Sequence, residues 1–223
     1  MTETSKMDAK TRILNAAERL FITRGFEATS IRAITSAAGV NLASVNYHFK
    51  SKDALIHAVI ARRLDPINRR RMELLDSVLA EAGHGPIPVE AVIEAFVWPL
   101  LDAAGGAGQD FPFGRWLGRL AAEPADFVQR MVEDHIRPVG ERFFAAFHRA
   151  APHLSPVEMI WRIHFVFAMT AHSIAAESLI EATSGGLCRP RDVRATLRYI
   201  TRFAAAGWVA PPAGEAEVAG GRP

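Results

Sequence analysis

The chain has 223 residues, 49% of them hydrophobic and 22% charged, which is enough for a small domain joined to a larger one with a sizeable core. The N-terminus, Met1–Lys10, is polar rather than leader-like, and the longest apolar stretch, Trp161–Ala176, is interrupted by Arg162, His164 and His172. With a lone Cys188 that reads as a loop filler, these features predict a cytoplasmic protein with no membrane span and no intrachain disulfide.

The net charge of +2 conceals an asymmetry: residues 1–64 carry ten Lys/Arg against five Asp/Glu, whereas the remainder carries sixteen against nineteen. All four lysines lie within the first 52 residues. A basic head suited to a polyanion thus precedes a mildly acidic body.

The pattern is helical throughout, and an all-α fold is expected. Ile13, Leu14, Ala17, Leu20 and Phe21 mark a first helix that Gly25 ends. Thr29 is read as the cap of a second helix with Ile31, Ile34 and Ala38 inward, stopped by Gly39. Asn41 caps a third helix, Leu42–Phe49, and Ser51 a fourth. A kink and domain junction are expected at Asp65-Pro66. Further helices are predicted at about 67–81, 88–104, 111–122, 125–150, 156–183 and 191–207, several separated by Gly/Pro-rich turns. The expected domains are 1–64, a helix-turn-helix head, and 65–210, a ligand-binding and dimerisation body, followed by a disordered tail over 211–223.

The third helix is about two turns long. Leu42, Val45 and Phe49 form the stripe that anchors it, leaving Ala43, Ser44, Asn46, Tyr47 and His48 outward. So short and exposed a helix needs its neighbours to hold it. Ala43 suits a thymine methyl, Ser44 a base edge and Asn46 an adenine edge, while Tyr47 and His48 suit phosphate oxygens. Thr29 and Lys52, each beside a helix N-terminus, complete a phosphate clamp.

The stretch Thr29–Leu55, within a match over residues 8–64, resembles the tetracycline-repressor (TetR) family of bacterial transcriptional regulators. The resemblance implies DNA contacts at Thr29, Ala43, Ser44, Tyr47, His48 and Lys52. Many members carry an aromatic where this chain has Asn46, so base readout at that position is expected to differ. One reading helix covers only a few base pairs, so two copies about 34 Å apart are expected on a palindromic operator. The helix from Pro156 is apolar on two sides: Trp161, His164, Phe165, Ala168, His172 and Leu179 on one, Ile160, Ile163, Phe167, Thr170 and Ile174 on the other. Glu158, Arg162 and Ser173 are assigned to the polar remainder. A core helix of a monomer and a dimer helix fit this pattern equally; the resemblance implies a homodimer through the last two long helices.

The body exceeds what dimerisation requires and is rich in aromatics, with Pro99 expected to interrupt one helix. Phe96, Phe113, Trp116, Leu120, Trp161, His164, Phe165, Ala168 and His172 are the candidate lining of a hydrophobic effector site, and Arg115, near Arg119, is a candidate for an anionic head group. Leu154–Phe165 and Asn41–Lys52 are also similar to regulators that respond to fatty acids or their coenzyme A thioesters (the PsrA type), which implies a repressor of lipid metabolism genes. A multidrug or aromatic-compound sensor and a protein-binding body remain alternatives. No phosphate loop, nucleophile elbow or metal-ligand spacing occurs, so no enzyme activity, cofactor or metal is expected.

Overall fold

The computed structural model describes residues 8–105, 112–121 and 123–212, and no strand is present among them. The helices are α1 (Ala9–Arg24), α2 (Ile31–Ala38), α3 (Leu42–Phe49), α4 (Lys52–Ala82), α5 (Val89–Gly105), α6 (Phe113–Ala121), α7 (Ala125–Met131), α8 (Arg137–Ala150), α9 (Pro156–Ala175), α10 (Glu177–Thr183) and α11 (Val193–Val209), with a π-helical turn at Val132–Ile136. The turn expected around 106–108 and the tail from 213 onward lie outside the described residues. Contacts divide the chain into one unit of residues 1–66 with 115–136 and another of 67–114 with 137–223.

The first unit is built on α1, α2 and α3. Asp8 caps α1 by accepting from the Thr11 amide at 2.6 Å, and Gly25, at φ 94°, ends it. Ile13, Ala16, Ala17, Phe21, Ile34, Val45, Phe49, Leu55 and Val59 are buried together in this unit. Phe21 stacks on Phe26 at 4.7 Å, and Phe26 meets Phe127 at 4.9 Å. Arg63 grips the buried Glu18 with both edges of its guanidinium, at 2.5 and 2.7 Å, and so ties α4 to α1. Arg119 donates to the Arg24 carbonyl at 3.4 Å and pairs with Glu123 at 3.1 Å, while Glu123 accepts from the Phe26 amide at 3.4 Å. Arg119, read from the sequence as a neighbour of Arg115 on the face beside the inward stripe, therefore secures the end of α1.

In the second unit α5 packs against α8, α9 and α11. Its core gathers Leu75, Val92, Ile93, Val97, Phe143, Phe147, Met159 and Trp208. Arg149 closes the end of α4 by donating to the carbonyls of Gly83 and Gly85 at 2.5 and 2.6 Å. Arg142 pairs with Asp76 at 2.5 Å.

Several helix boundaries differ from expectation. Pro66 does not end α4, because its ring faces solvent and the buried positions Leu64 and Ile67 carry the helical stripe past it. Pro99 likewise lies within α5, buried, and does not end the helix. The predicted 125–150 helix is broken by the π-helical turn just before Pro138, whose missing N–H leaves the preceding turn without its normal bond. The predicted 156–183 helix is two helices bent by 80° at Ala176. Asp192 caps α11, so that helix starts at Val193 and runs on to Val209.

Arg162 belongs to the buried stripe of α9 with Met159, Val166 and Thr170, not to its polar sector. The C-terminal carbonyls of α11 explain why: Arg162 donates to Gly207, Trp208 and Ala210 at 2.6, 3.1 and 3.1 Å, and Glu158 balances its charge at 2.7 Å. No single described helix is long and apolar enough to cross a membrane.

Candidate nucleic-acid interface

The geometry of the head starts with its caps. Asn41 accepts from the Ser44 amide at 2.8 Å and opens α3; Ser51 accepts from the Ala54 amide at 3.0 Å and opens α4. Between α2 and α3, Gly39 takes the left-handed conformation, φ 62° and ψ 40°, that lets the chain turn sharply.

Helix α3 is held by Val45 and Phe49, which are buried one turn apart. Leu42, expected as a third anchor, is half exposed, because it lies in the opening turn of α3 ahead of the two buried positions. The opposite surface carries the expected reading residues: Ala43 and Asn46 are exposed, Tyr47 is 82% exposed, and Ser44 and His48 are half-buried. The Tyr47 and His48 rings meet edge to face at 5.1 Å. A large aromatic with its hydroxyl in solvent contributes little to the fold and is positioned to touch something else.

Thr29 departs from expectation. It is fully buried, and its hydroxyl donates to the Gly25 carbonyl at 2.6 Å. The α2 cap is Ser30, which is exposed and accepts from the Ala33 amide at 3.2 Å. Sequence reasoning chose the wrong member of a Thr-Ser pair; the three-residue spacing from Ser30 to the Ala33 amide was the available signal. Lys52 opens α4 half-buried and donates to the Glu27 carbonyl at 2.7 Å, leaving two ammonium hydrogens for another acceptor. Lys50, passed over in the sequence, is exposed in the α3–α4 turn at φ 60°. The arrangement offers a polar helix face flanked by two lysines and two helix N-termini, which is the equipment for reading bases while holding phosphates.

The proposed effector-lining residues do not form one set. Phe96 and Phe113 are buried in the second unit, whereas Trp116 and Leu120 are buried in the first. Arg115 is exposed. Trp161 and Phe165 are 55% and 54% exposed, and His164, Ala168 and His172 are exposed with them, because Arg162 draws the opposite side of α9 into the core. These five residues form an outer face instead of an interior wall. Cys188 is exposed. The described residues contain no group of three or more His, Cys, Asp or Glu placed to hold a metal.

The family described as "Bacterial regulatory proteins, tetR family" matches residues 13–59, and "Tetracyclin repressor-like, C-terminal domain" matches residues 94–207. The HTH-type transcriptional regulator UidR of Escherichia coli (strain K12) is 33% identical over 76 residues, 34% of this chain and 39% of that protein. The HTH-type transcriptional repressor KstR2 of Rhodococcus jostii (strain RHA1) is 34% identical over 74 residues, 33% of this chain and 36% of that protein. The match thus spans about two fifths of the length of these curated relatives. Among solved structures, AmtR of Mycobacterium smegmatis shares the fold with a TM-score of 0.57 at 18% identity, covering 92% of this chain and 90% of that one. A TetR-like regulator from Rhodococcus sp. RHA1 does so with a TM-score of 0.58 at 19% identity, covering 91% and 97%. These relatives are transcriptional regulators, not enzymes.

Proposed function

Because the chain belongs to the tetR family of bacterial regulatory proteins, we propose that it is a repressor that binds a palindromic operator as a homodimer and is released by a hydrophobic effector. The observation that carries the DNA-binding part is the solvent-facing side of α3, where Tyr47 is 82% exposed beside Asn46 and Ala43. Asn46 is assigned to a base edge, and Ala43 and Ser44 to close approach in the groove. Tyr47, His48, Lys52 and Lys50 hold phosphates. Thr29 acts from behind by fixing the Gly25 carbonyl, and Ser30 takes the surface position assigned to Thr29 from the sequence.

Pairing is assigned to the outer faces of α9 and α11. Trp161 and Phe165 lie 5.6 Å apart on α9, and Tyr199 and Phe203 on α11 are 76% and 73% exposed. A monomer rarely leaves so many large apolar side chains in water, and a second copy would cover them. Repression is favoured over activation by the word "repressor" in the name of the KstR2 relative. The effector is assigned to the fatty-acid or acyl-coenzyme A class, supported by the aromatic core of the second unit. It would act by binding the DNA-released conformation more tightly than the DNA-bound one.

The test is selection of bound duplexes from a random pool, followed by challenge with an acyl series. The expected result is an inverted repeat with half-sites about one helical turn apart, retained less well as acyl ligand is added. Enrichment of a single unrepeated site would overturn the dimeric reading, and retention unchanged across the series would overturn the ligand class.

A further inference from the structure

Arg71 lies on the second-unit part of α4 and is only 9% exposed. Its Nε donates to the Phe96 carbonyl at 2.8 Å, and its Nη1 reaches the Asn68 side-chain oxygen at 3.5 Å. The guanidinium carbon stands 4.4 Å above the Phe96 ring. That ring meets Phe143 edge to face at 5.1 Å, and Phe147 of the same cluster stacks on Trp208 at 4.4 Å. Among the described residues, no Asp or Glu carboxylate lies within ion-pair distance of Arg71, and Nη2 has no protein acceptor and keeps a trace of solvent contact.

The other buried arginine of this unit makes the contrast plain. Arg162 is equally enclosed, but Glu158 neutralises it and four carbonyls satisfy it. Arg71 has one carbonyl, one long amide contact and an aromatic face. Its contact with Phe96 does have a structural use, because Pro99 lacks the N–H that would bond the Ala95 carbonyl, and Arg71 donates to the carbonyl next to it. A neutral donor such as Gln would meet that need without burying a charge. Burial pushes the Arg71 guanidinium down to about 10, and no neighbouring charge contributes. The side chain is thus cationic at neutral pH and lacks a counter-ion, a condition that a protein interior strongly disfavours.

We propose that Arg71 is the charged anchor of an effector site in the second unit, and that the effector carries a single carboxylate on a hydrophobic body. The planar fork of the guanidinium matches a carboxylate, and the surrounding aromatic cluster matches an apolar chain. One buried cation balances a monoanion and leaves a phosphate dianion half neutralised. A thioester has no anion at its acyl carbon, so the free acid is favoured over the coenzyme A derivative. The inference rests on the reading that a hydrophobic effector exists, and it narrows that reading to one chemistry.

The test uses the full-length protein with laurate, methyl laurate and dodecyl phosphate below their aggregation thresholds, followed by calorimetric titration and thermal melting. Laurate is expected to bind and raise the melting temperature. Arg71→Lys keeps the charge but loses the fork, and should weaken laurate roughly tenfold or more. Arg71→Met should abolish the difference between laurate and its methyl ester. Laurate affinity unchanged in Arg71→Lys would overturn the proposal, and this variant decides the matter if Arg71→Met does not fold. Dodecyl phosphate binding more tightly than laurate would overturn the carboxylate assignment. Equal binding of acid and ester by the unmodified protein would overturn the role of Arg71 while leaving a hydrophobic effector in place. If none of the three compounds binds, the acyl-effector reading falls, and this inference with it.

Discussion

Lys52 donates from Nζ to the main-chain carbonyl of Glu27 at 2.7 Å, bringing the start of α4 to the loop that precedes α2. One hydrogen of the ammonium fixes the side chain, and the other two remain for the phosphate oxygen proposed for it above. Held in this way, the lysine loses less rotamer freedom on meeting DNA than a free one would.

Replacing it tests that arrangement. Lys52→Met should weaken binding to operator and to random duplex by the same few-fold factor. It should also lower the slope of log affinity against log salt by about one. Fluorescence anisotropy across a salt series measures both. The melting temperature should hardly move, because the hydrogen bond is near the surface.

Two glycines on α6 make opposite predictions. A Cβ on Gly114 would lie 2.8 Å from the Ala175 Cα and 2.9 Å from the Ile174 carbonyl oxygen, both of them backbone atoms of α9. Gly114→Ala should therefore cost about 1–3 kcal/mol through overpacking. A Cβ on Gly118 meets nothing within 4 Å, and that residue is exposed inside the helix. Gly118→Ala should stabilise the protein by about 0.5–1 kcal/mol by removing helix-interior glycine entropy. Urea titration of both variants separates the two effects. A loss of stability in Gly118→Ala would show that the helix is crowded on its outer side.

His135 predicts a pH dependence. Burial holds its imidazole below the ordinary value of 6.5; Asp65 and Asp134 pull upward and His57 pushes downward with burial. The folded chain takes up this proton less readily than the unfolded one. Stability linked to His135 is thus complete above 6.5 and is lost as pH falls through that value toward the folded pKa. Equilibrium unfolding at pH 5.5 and 7.5 should show a smaller difference in His135→Gln than in the parent. An unchanged difference would assign the acid sensitivity to other groups.

The sequence made the head legible because its signals are local. The caps at Asn41 and Ser51, the glycine stops at Gly25 and Gly39, and the Val45–Phe49 stripe all act within a few residues of themselves. What stayed hidden depends on distant backbone. Arg162 reads as a polar surface residue until the carbonyl end of α11 arrives beside it, 45 residues away at Gly207. The same contact turns Trp161, His164, Phe165, Ala168 and His172 outward, so five residues read as an interior lining form a surface. Residues 115–136 group with the head because Arg119 and Glu123 hold the Arg24 carbonyl and the Phe26 amide, a pairing with no periodic signature. The bend at Ala176 carries no glycine or proline to announce it.

The central claim is that the exposed face of α3 reads DNA. The most direct measurement is the affinity of Tyr47→Ala and Asn46→Ala for a selected duplex, for its single-base variants and for random sequence. Tyr47→Ala should lose affinity for all of them in equal proportion with an unchanged melting temperature, whereas Asn46→Ala should lose about 1–3 kcal/mol of discrimination at one symmetric base position alone. Unaltered DNA affinity in both folded variants would contradict the account.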